Sequence, residues 1–418
     1  MQECRTEFDY VFVGGGFSGL SSAMQLKLLD SSLKVAVVEK SKCGYGASSR
    51  NSGIIHSPLF YSDSAIASKF VNAQKDFKLT FKNSGVDTEG WVYGTDSEIN
   101  SKKRDLDRLG APWRELSEKE IERITAHSDY LSQKNFLAVP EFIVDPISVL
   151  STLVNKCYEL DVDIITDKTV IDIKQSGSKA CGVVCSDGYS INSATIILTS
   201  GQGTYSLMET IGSKFLSAIR TRTQTMIAVS GLDFITDSKN IRIALQPANM
   251  NGMGVVPARD GMSLVGLDYR PPTVNCKDGI VISIPEVDDH AVHETLDKLT
   301  DVFPQWNSKK SHVSIWPGVK TDFIGFGSDY RENIYDDNPD PITVDHGKID
   351  GIFNLYTLFC GKMTLFMEAS SELIRHLGYE KNERFVFNSD ECRGNLDVVQ
   401  SPVTKYNLQN PSEPTATA

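Results

Sequence analysis

The run Val13-Gly14-Gly15-Gly16-Phe17-Ser18-Gly19-Leu20 constrains this chain more than any other. Gly14, Gly16 and Gly19 form a GxGxxG directly after the β-rich stretch Tyr10 to Val13. Leu20, Ala23, Met24 and Leu28 follow at helical spacing, and a second apolar run, Lys34 to Val38, ends at Glu39, 20 residues beyond Gly19. The order strand, glycine turn, helix, strand, acid is the dinucleotide-binding arrangement, and each position has a physical reason. Gly14 permits the tight turn, Gly16 lets the backbone approach a pyrophosphate, Gly19 lets the helix lie close to the sheet, and the helix N-terminus favours the anion. Glu39 suits an adenosine ribose and disfavours a 2′-phosphate. The candidate cofactor contacts here are Gly14, Gly15, Gly16, Phe17, Ser18, Gly19, Glu39 and Lys40.

Composition narrows the function classes. With 54 acidic and 42 basic residues among 418, the net charge of −12 opposes nonspecific binding to nucleic acid. The eight cysteines are scattered with no CxxC pair, so no metal site is expected and the thiols read as reduced, in an intracellular, cytoplasmic chain. No stretch reaches the roughly 18 apolar residues of a spanning helix, and no basic-then-apolar leader precedes the first strand. Peripheral membrane contact stays open.

The text from Ser64 to Ala138 is polar with helical period, including a capping-box spacing at Ser117 and Glu120, and reads as an insertion or cap. Asp145-Pro146 opens a helix to Leu160, followed by short strands at Asp163 to Thr166, Thr169 to Lys174, Ala180 to Cys185 and Thr195 to Thr199. A β-rich block covers Arg220 to Ser314, with a hairpin around Arg259-Asp260-Gly261. The last helix is expected from Thr364 to Leu377, and the proline-containing tail from about 401 is expected to be disordered.

Asp9 to Lys40 with the run Ser49-Arg50-Asn51-Ser52-Gly53-Ile54-Ile55-His56 resembles the FAD-dependent oxidoreductases of the D-amino-acid oxidase superfamily. The L-2-hydroxyglutarate dehydrogenase and glycerol-3-phosphate dehydrogenase branches are the most similar. The likeness recurs at Phe142 to Pro146, at Val170, at Ile197 to Gly201, at Gly254 to Gly266 and at Phe359 to Ala369, so it spans about residues 8 to 377. It implies FAD as cofactor, with Ser48, Ser49, Asn51, Ser52 and Gly53, Val170, Ser200 and Gly201, and Gly361, Lys362, Met363 and Thr364 as further cofactor contacts. It implies an α/β fold, a Rossmann-like FAD-binding domain interleaved with an α+β substrate domain whose sheet is mostly antiparallel. Residues 1–62, 140–215 and 325–380 would form the first, 63–139 and 216–324 the second, and 381–418 a C-terminal extension.

The activity so implied is a dehydrogenase or oxidase acting on the CH-OH group of a small, anionic 2-hydroxy acid or polyol phosphate. Such a reaction needs a base for the hydroxyl proton and positive charge near the flavin. His56 is the candidate base because imidazole titrates near neutral pH. Lys320 and Lys362 are the candidate catalytic cations, and Arg222, Arg259 and Tyr269 the candidate substrate contacts. Lys320 stands where the glycerol-3-phosphate dehydrogenases carry an arginine, and a lysine offers a point charge without the bidentate fork. His127, His290, His293, His312, His346 and His376 read as surface or structural. Two alternatives stay open: an amino-acid or amine oxidase acting on CH-NH, and a flavin-binding subunit without turnover. The residues leave the electron acceptor open between quinone, oxygen and a protein.

Overall fold

The computed structural model describes residues 7–59, 61, 63–249, 252–258, 260–267, 287–325, 340–379, 397–399 and 404–405. Two sheets organise them. The first has eight strands, and its main path runs Ile342–Asp345, Leu355–Phe359, Ser190–Leu198, Glu7–Val13, Val35–Val38, Asp163–Ile165. All neighbours on that path are parallel except the edge strand Ile342–Asp345. The antiparallel ribbon of Val170–Ser176 and Lys179–Cys185 is joined to it through Ser190–Leu198. Val35 to Val38 are wholly buried, as a parallel strand covered on both faces requires. The helices Phe17–Leu29, Pro146–Glu159 and Phe366–His376 share one core with Phe12, Val35, Val37 and Ile197. As the sequence predicts, Asp145 caps the second of these, accepting from the Ile147 and Ser148 amides, with Pro146 in its first turn.

The second sheet has nine strands in the order Thr404–Lys405, Val313–Phe323, Ile219–Val229, Ser263–Leu267, Met253–Pro257, Ala244–Pro247, Gly85–Gly94, Asn135–Val144, Ile54–Ile55. Its pairings are antiparallel except for Ala244–Pro247 on Gly85–Gly94. This is the mixed architecture expected: a Rossmann-like, mostly parallel layer and a mostly antiparallel sheet, interleaved along the chain.

Four details depart from the sequence reading. The block read as a cap contributes Gly85–Gly94, a strand well inside the second sheet. Its polar first half, Asp87 to Glu89, lies at a solvent-facing end, while Trp91, Val92 and Tyr93 are buried. The β-rich block contains a helix, Asp289–Val302, whose Val292, Leu296, Leu299 and Val302 repeat at helical spacing and bury against the sheet. The last α-helix starts at Phe366, after a single 3-10 turn Met363–Leu365, so Lys362 precedes that turn and is not in the helix. In the tail, Thr404–Lys405 pair with Ser314 and Ile315; the remaining tail residues from 400 on lie outside the described residues. The Met253–Pro257 and Ser263–Leu267 hairpin forms as expected. Among the described residues no helix is long and apolar enough to cross a membrane.

Candidate functional site

The glycine turn is built as its chemistry demands. Gly14 adopts φ +118°, a conformation that a side chain disfavours, and a Cβ there would lie 2.7 Å from the Ser200 backbone. A Cβ on Gly19 would lie 2.1 Å from the Gly14 carbonyl oxygen. The turn is therefore pressed between its own helix and the end of strand Ser190–Leu198. Thr199, which follows that strand, adds a polar tie: its hydroxyl donates to the Val13 and Gly14 carbonyls at 3.1 and 2.9 Å. Ser200 and Gly201 complete this wall, the Ser200 hydroxyl bonding to the Thr204 hydroxyl at 3.0 Å.

Glu39 reaches back to the turn. One carboxyl oxygen accepts the Gly15 N–H at 2.8 Å and the other the Ser41 N–H at 3.1 Å. The side chain is buried, which pushes the carboxyl above its ordinary range while the backbone donors oppose that. Each oxygen keeps a second lone-pair site, which suits ribose hydroxyl donors. Lys40 is exposed, its ammonium 5.6 Å from the centre of the Tyr45 ring. The Lys168 N–H donates to the Glu39 carbonyl at 3.0 Å, which brings the start of the Val170 strand alongside.

The segment after the second strand closes over the turn. The Phe17 N–H, at the start of the first helix, donates to the Ser48 hydroxyl at 3.1 Å. Asn51 ties its own loop, donating to the Ser48 carbonyl at 2.8 Å and accepting the Gly53 N–H at 2.9 Å, and Ser52 lies half-buried between them. Ser49 is buried and its hydroxyl has no partner among the described residues. A glycine-lined turn that admits no Cβ, a buried acid with spare acceptor capacity and an orphaned buried hydroxyl fit the pyrophosphate and ribose of a bound dinucleotide.

The candidate catalytic residues come from distant parts of the chain. His56, half-buried, leaves the short strand Ile54–Ile55 and donates its N–H to the Thr364 hydroxyl at 3.1 Å. This joins it to the Gly361-Lys362-Met363-Thr364 segment, in which Thr364 is fully buried and Gly361, Lys362 and Met363 are half-buried. The neighbouring Cys360 thiol is raised by burial, and the Ser18 hydroxyl and the Lys320 ammonium oppose that rise. Ser18 of the glycine turn and Lys320 of strand Val313–Phe323 thus both act on the Cys360 thiol.

Lys320 pairs with the buried Asp322 at 3.1 Å, and Asp322 also faces the Arg220 guanidinium at 3.5 Å. Arg222 occupies the position directly across from Lys320 and Arg220 the one across from Asp322, so the four positions share one sheet face. The Arg222 side chain, Arg259 and Tyr269 lie outside the described residues. Further along that sheet, Ile54, Ile143, Met226 and Trp316 pack as an apolar cluster. The remaining histidines do not join the site. His346, for one, is fully buried between Asp350 at 2.7 Å and Thr357 at 2.9 Å.

Three contributors escape the sequence reading. Arg50, between Ser49 and Asn51, donates to the Tyr45 and Pro317 carbonyls at 3.1 and 3.5 Å, and its own carbonyl accepts from the Trp316 indole at 3.4 Å, linking the two sheets. Asp322 is visible only as an acid two residues beyond Lys320. Glu141 sits in an apolar strand, where an isolated acid is itself the signal.

A family model described as FAD dependent oxidoreductase matches residues 9–340. The L-2-hydroxyglutarate dehydrogenase of Salmonella houtenae is 26% identical over 219 residues, 49% of this chain and 50% of that protein. The mitochondrial L-2-hydroxyglutarate dehydrogenase of Homo sapiens is 42% identical over 65 residues, 15% of this chain and 14% of that one. The chain thus spans about half the length of the first relative in this match, and less of the second. Glycine oxidase from Geobacillus kaustophilus superposes with a TM-score of 0.67 at 15% identity, covering 93% of this chain and 100% of that one. Glycerol-3-phosphate dehydrogenase from Bacillus halodurans superposes with a TM-score of 0.61 at 13% identity, covering 94% and 69%. At these identities the superpositions establish the fold. The chain belongs to the family of FAD dependent oxidoreductases, and FAD is its cofactor.

Proposed function

We propose that this enzyme oxidises the CH-OH group of a small anionic substrate, a 2-hydroxy acid or polyol phosphate. The observation that carries the reading is the placement of Lys320 directly across from the Arg222 position, on a strand whose Trp316 and Pro317 bond to Arg50 in the segment after the second strand. The similarity to proteins named L-2-hydroxyglutarate dehydrogenase supports the same class. In an acidic protein, an anion needs such a local cluster to enter.

FAD, when bound, supplies the hydride acceptor. Gly14, Gly16, Gly19 and Glu39 hold its pyrophosphate and ribose, and Ser49 donates its otherwise unused hydroxyl. On the substrate side, Lys320 and Arg222 hold the anionic group, with Arg259 and Tyr269 as further contacts. The imidazole of His56 takes the hydroxyl proton as the C-H bond breaks. Lys362 places positive charge where negative charge accumulates. The apolar cluster of Ile54, Ile143 and Trp316 keeps water from the reacting carbon.

The test is anaerobic mixing of the purified yellow protein with L-2-hydroxyglutarate, L-lactate, glycerol 3-phosphate, glycine and L-proline while flavin absorbance is followed. Bleaching by a hydroxy compound is expected. Bleaching by glycine or L-proline alone would replace this reading with oxidation at CH-NH, and bleaching by none would overturn it.

A further inference from the structure

Glu141 is a buried acid, 1% exposed, on strand Asn135–Val144, and the chemistry above does not use it. One of its carboxyl oxygens accepts the Ser57 N–H at 3.2 Å. The other accepts the Ser57 hydroxyl at 3.1 Å and the Gln246 amide at 3.4 Å. Ser57 and Gln246 are themselves buried. Gln246 belongs to strand Ala244–Pro247, which is separated from the Glu141 strand by Gly85–Gly94. The two side chains meet because the residue between them is Gly90: a Cβ there would lie 2.8 Å from Glu141 Cγ and 3.0 Å from Gln246 Nε2. A gap in one strand, an amide beyond it and an acid aimed across it make a built contact, and its far end is the residue after His56.

The short chain around His56 is tied on every side. The Ile55 carbonyl accepts from the Gln74 amide at 3.0 Å, which also donates to the Pro140 carbonyl at 3.1 Å. The His56 N–H is held by Thr364, and both donors of Ser57 are held by Glu141. Burying a carboxyl at this depth is costly, and it titrates at about 8 as a result. A glutamine at this position has one carbonyl oxygen in place of the two carboxyl oxygens that accept from Ser57, so it would hold only one of those two donors in the same way.

We propose that Glu141 is a positioning residue, which fixes the His56–Ser57 main chain against Thr364 and so aims the His56 imidazole at the substrate hydroxyl. The inference rests on the reading of His56 as the base. Misplacing a reacting group by about 1 Å costs on the order of 100-fold in rate, which is the scale such a tie controls.

The test has one arm free of substrate and one that uses it. In the FAD-loaded protein, amide hydrogen exchange is followed in the peptide covering residues 54–59 for wild type, Glu141→Ala, Glu141→Gln and Ser57→Ala. Exchange at the His56 and Ser57 amides is expected to rise at least about 10-fold in Glu141→Ala, with Glu141→Gln in between and residues 10–20 unchanged. Ser57→Ala, which keeps the amide and loses only the hydroxyl, gives a smaller rise and serves if Glu141→Ala does not fold. Unchanged exchange in both alanine variants would overturn the proposal.

In the second arm, flavin reduction by whichever panel compound bleaches the wild type is compared in Glu141→Gln, His56→Ala and the double variant. A 10- to 100-fold slower step in Glu141→Gln, at unchanged FAD affinity and absent from the His56→Ala background, is expected. A full additional loss in that background, or no loss in the wild-type background, would overturn it. If His56→Ala itself reduces at the wild-type rate, the assignment of the base fails first, and the exchange result then stands as a statement about structure alone.

Discussion

The nucleotide-binding half and the sheet that faces it both present buried acids, and they use them differently. Glu39 is held by two backbone N–H groups from residues within 24 positions of it. Glu141 is held by a main-chain amide, a hydroxyl and a side-chain amide that lie 84 and 105 positions away. In both, burial raises the carboxyl. The first half builds its site from local backbone geometry, with glycines supplying room. The second builds it from side chains brought together by sheet register.

If that division holds, variants in the two halves should fail in different measurements. The largest effect is expected for His56→Ala: flavin reduction about 100- to 10,000-fold slower, with FAD affinity unchanged. Stopped-flow reduction and a cofactor titration read the two quantities separately, and a joint loss would dissolve the distinction. Gly19→Val should do the reverse. Its side chain runs into the Gly14 carbonyl, and about 3 kcal/mol of overpacking corresponds to about 100-fold weaker FAD binding. Fluorescence titration of the apoprotein checks it.

Lys320→Met removes one cation from the converging face and should raise KM about 10-fold with kcat little changed. A change in kcat alone would move Lys320 from substrate anchoring to the chemical step.

Glu141 gives a smaller, pH-dependent effect on stability. Its folded-state value of about 8 lies above the ordinary glutamate value, so the folded state prefers the proton. Its contribution is full below the unfolded value, about 4.3, and is lost as pH rises through about 8. The melting temperature of Glu141→Gln should therefore fall less than that of wild type over this window. Parallel curves would show that Glu141 does not titrate there. The smallest effect is expected for Thr199→Val, which removes the hydroxyl tied to the Val13 and Gly14 carbonyls and should cost about 1 kcal/mol in denaturant unfolding.

The same division explains which parts of the molecule the sequence alone makes legible. Gly14, Gly16, Gly19 and Glu39 lie within one βαβ unit, so spacing alone identifies their arrangement, and Asp145-Pro146 marks its helix start for the same local reason. Strand Gly85–Gly94 is hidden because Asp87, Thr88 and Glu89 occupy its more exposed end while its buried end is only five residues long, two of them glycine. Helix Asp289–Val302 was hidden by the strand-rich text around it, although its apolar spacing was present. Glu141 shows in the sequence only as an acid in an apolar strand and Asp322 only as an acid beyond Lys320, because their surroundings, Gly90 with Gln246 and Arg220 with Lys320, are set by pairings between strands remote in sequence.

The central claim is that this flavoenzyme oxidises a small anionic hydroxy compound. Anaerobic reduction of its flavin by L-2-hydroxyglutarate, L-lactate and glycerol 3-phosphate, with glycine and L-proline alongside, tests it most directly. Bleaching by at least one of the three hydroxy compounds is expected, slowed in Lys320→Met and nearly abolished in His56→Ala. Reduction by the amino acids alone, or by none of the five, would contradict it.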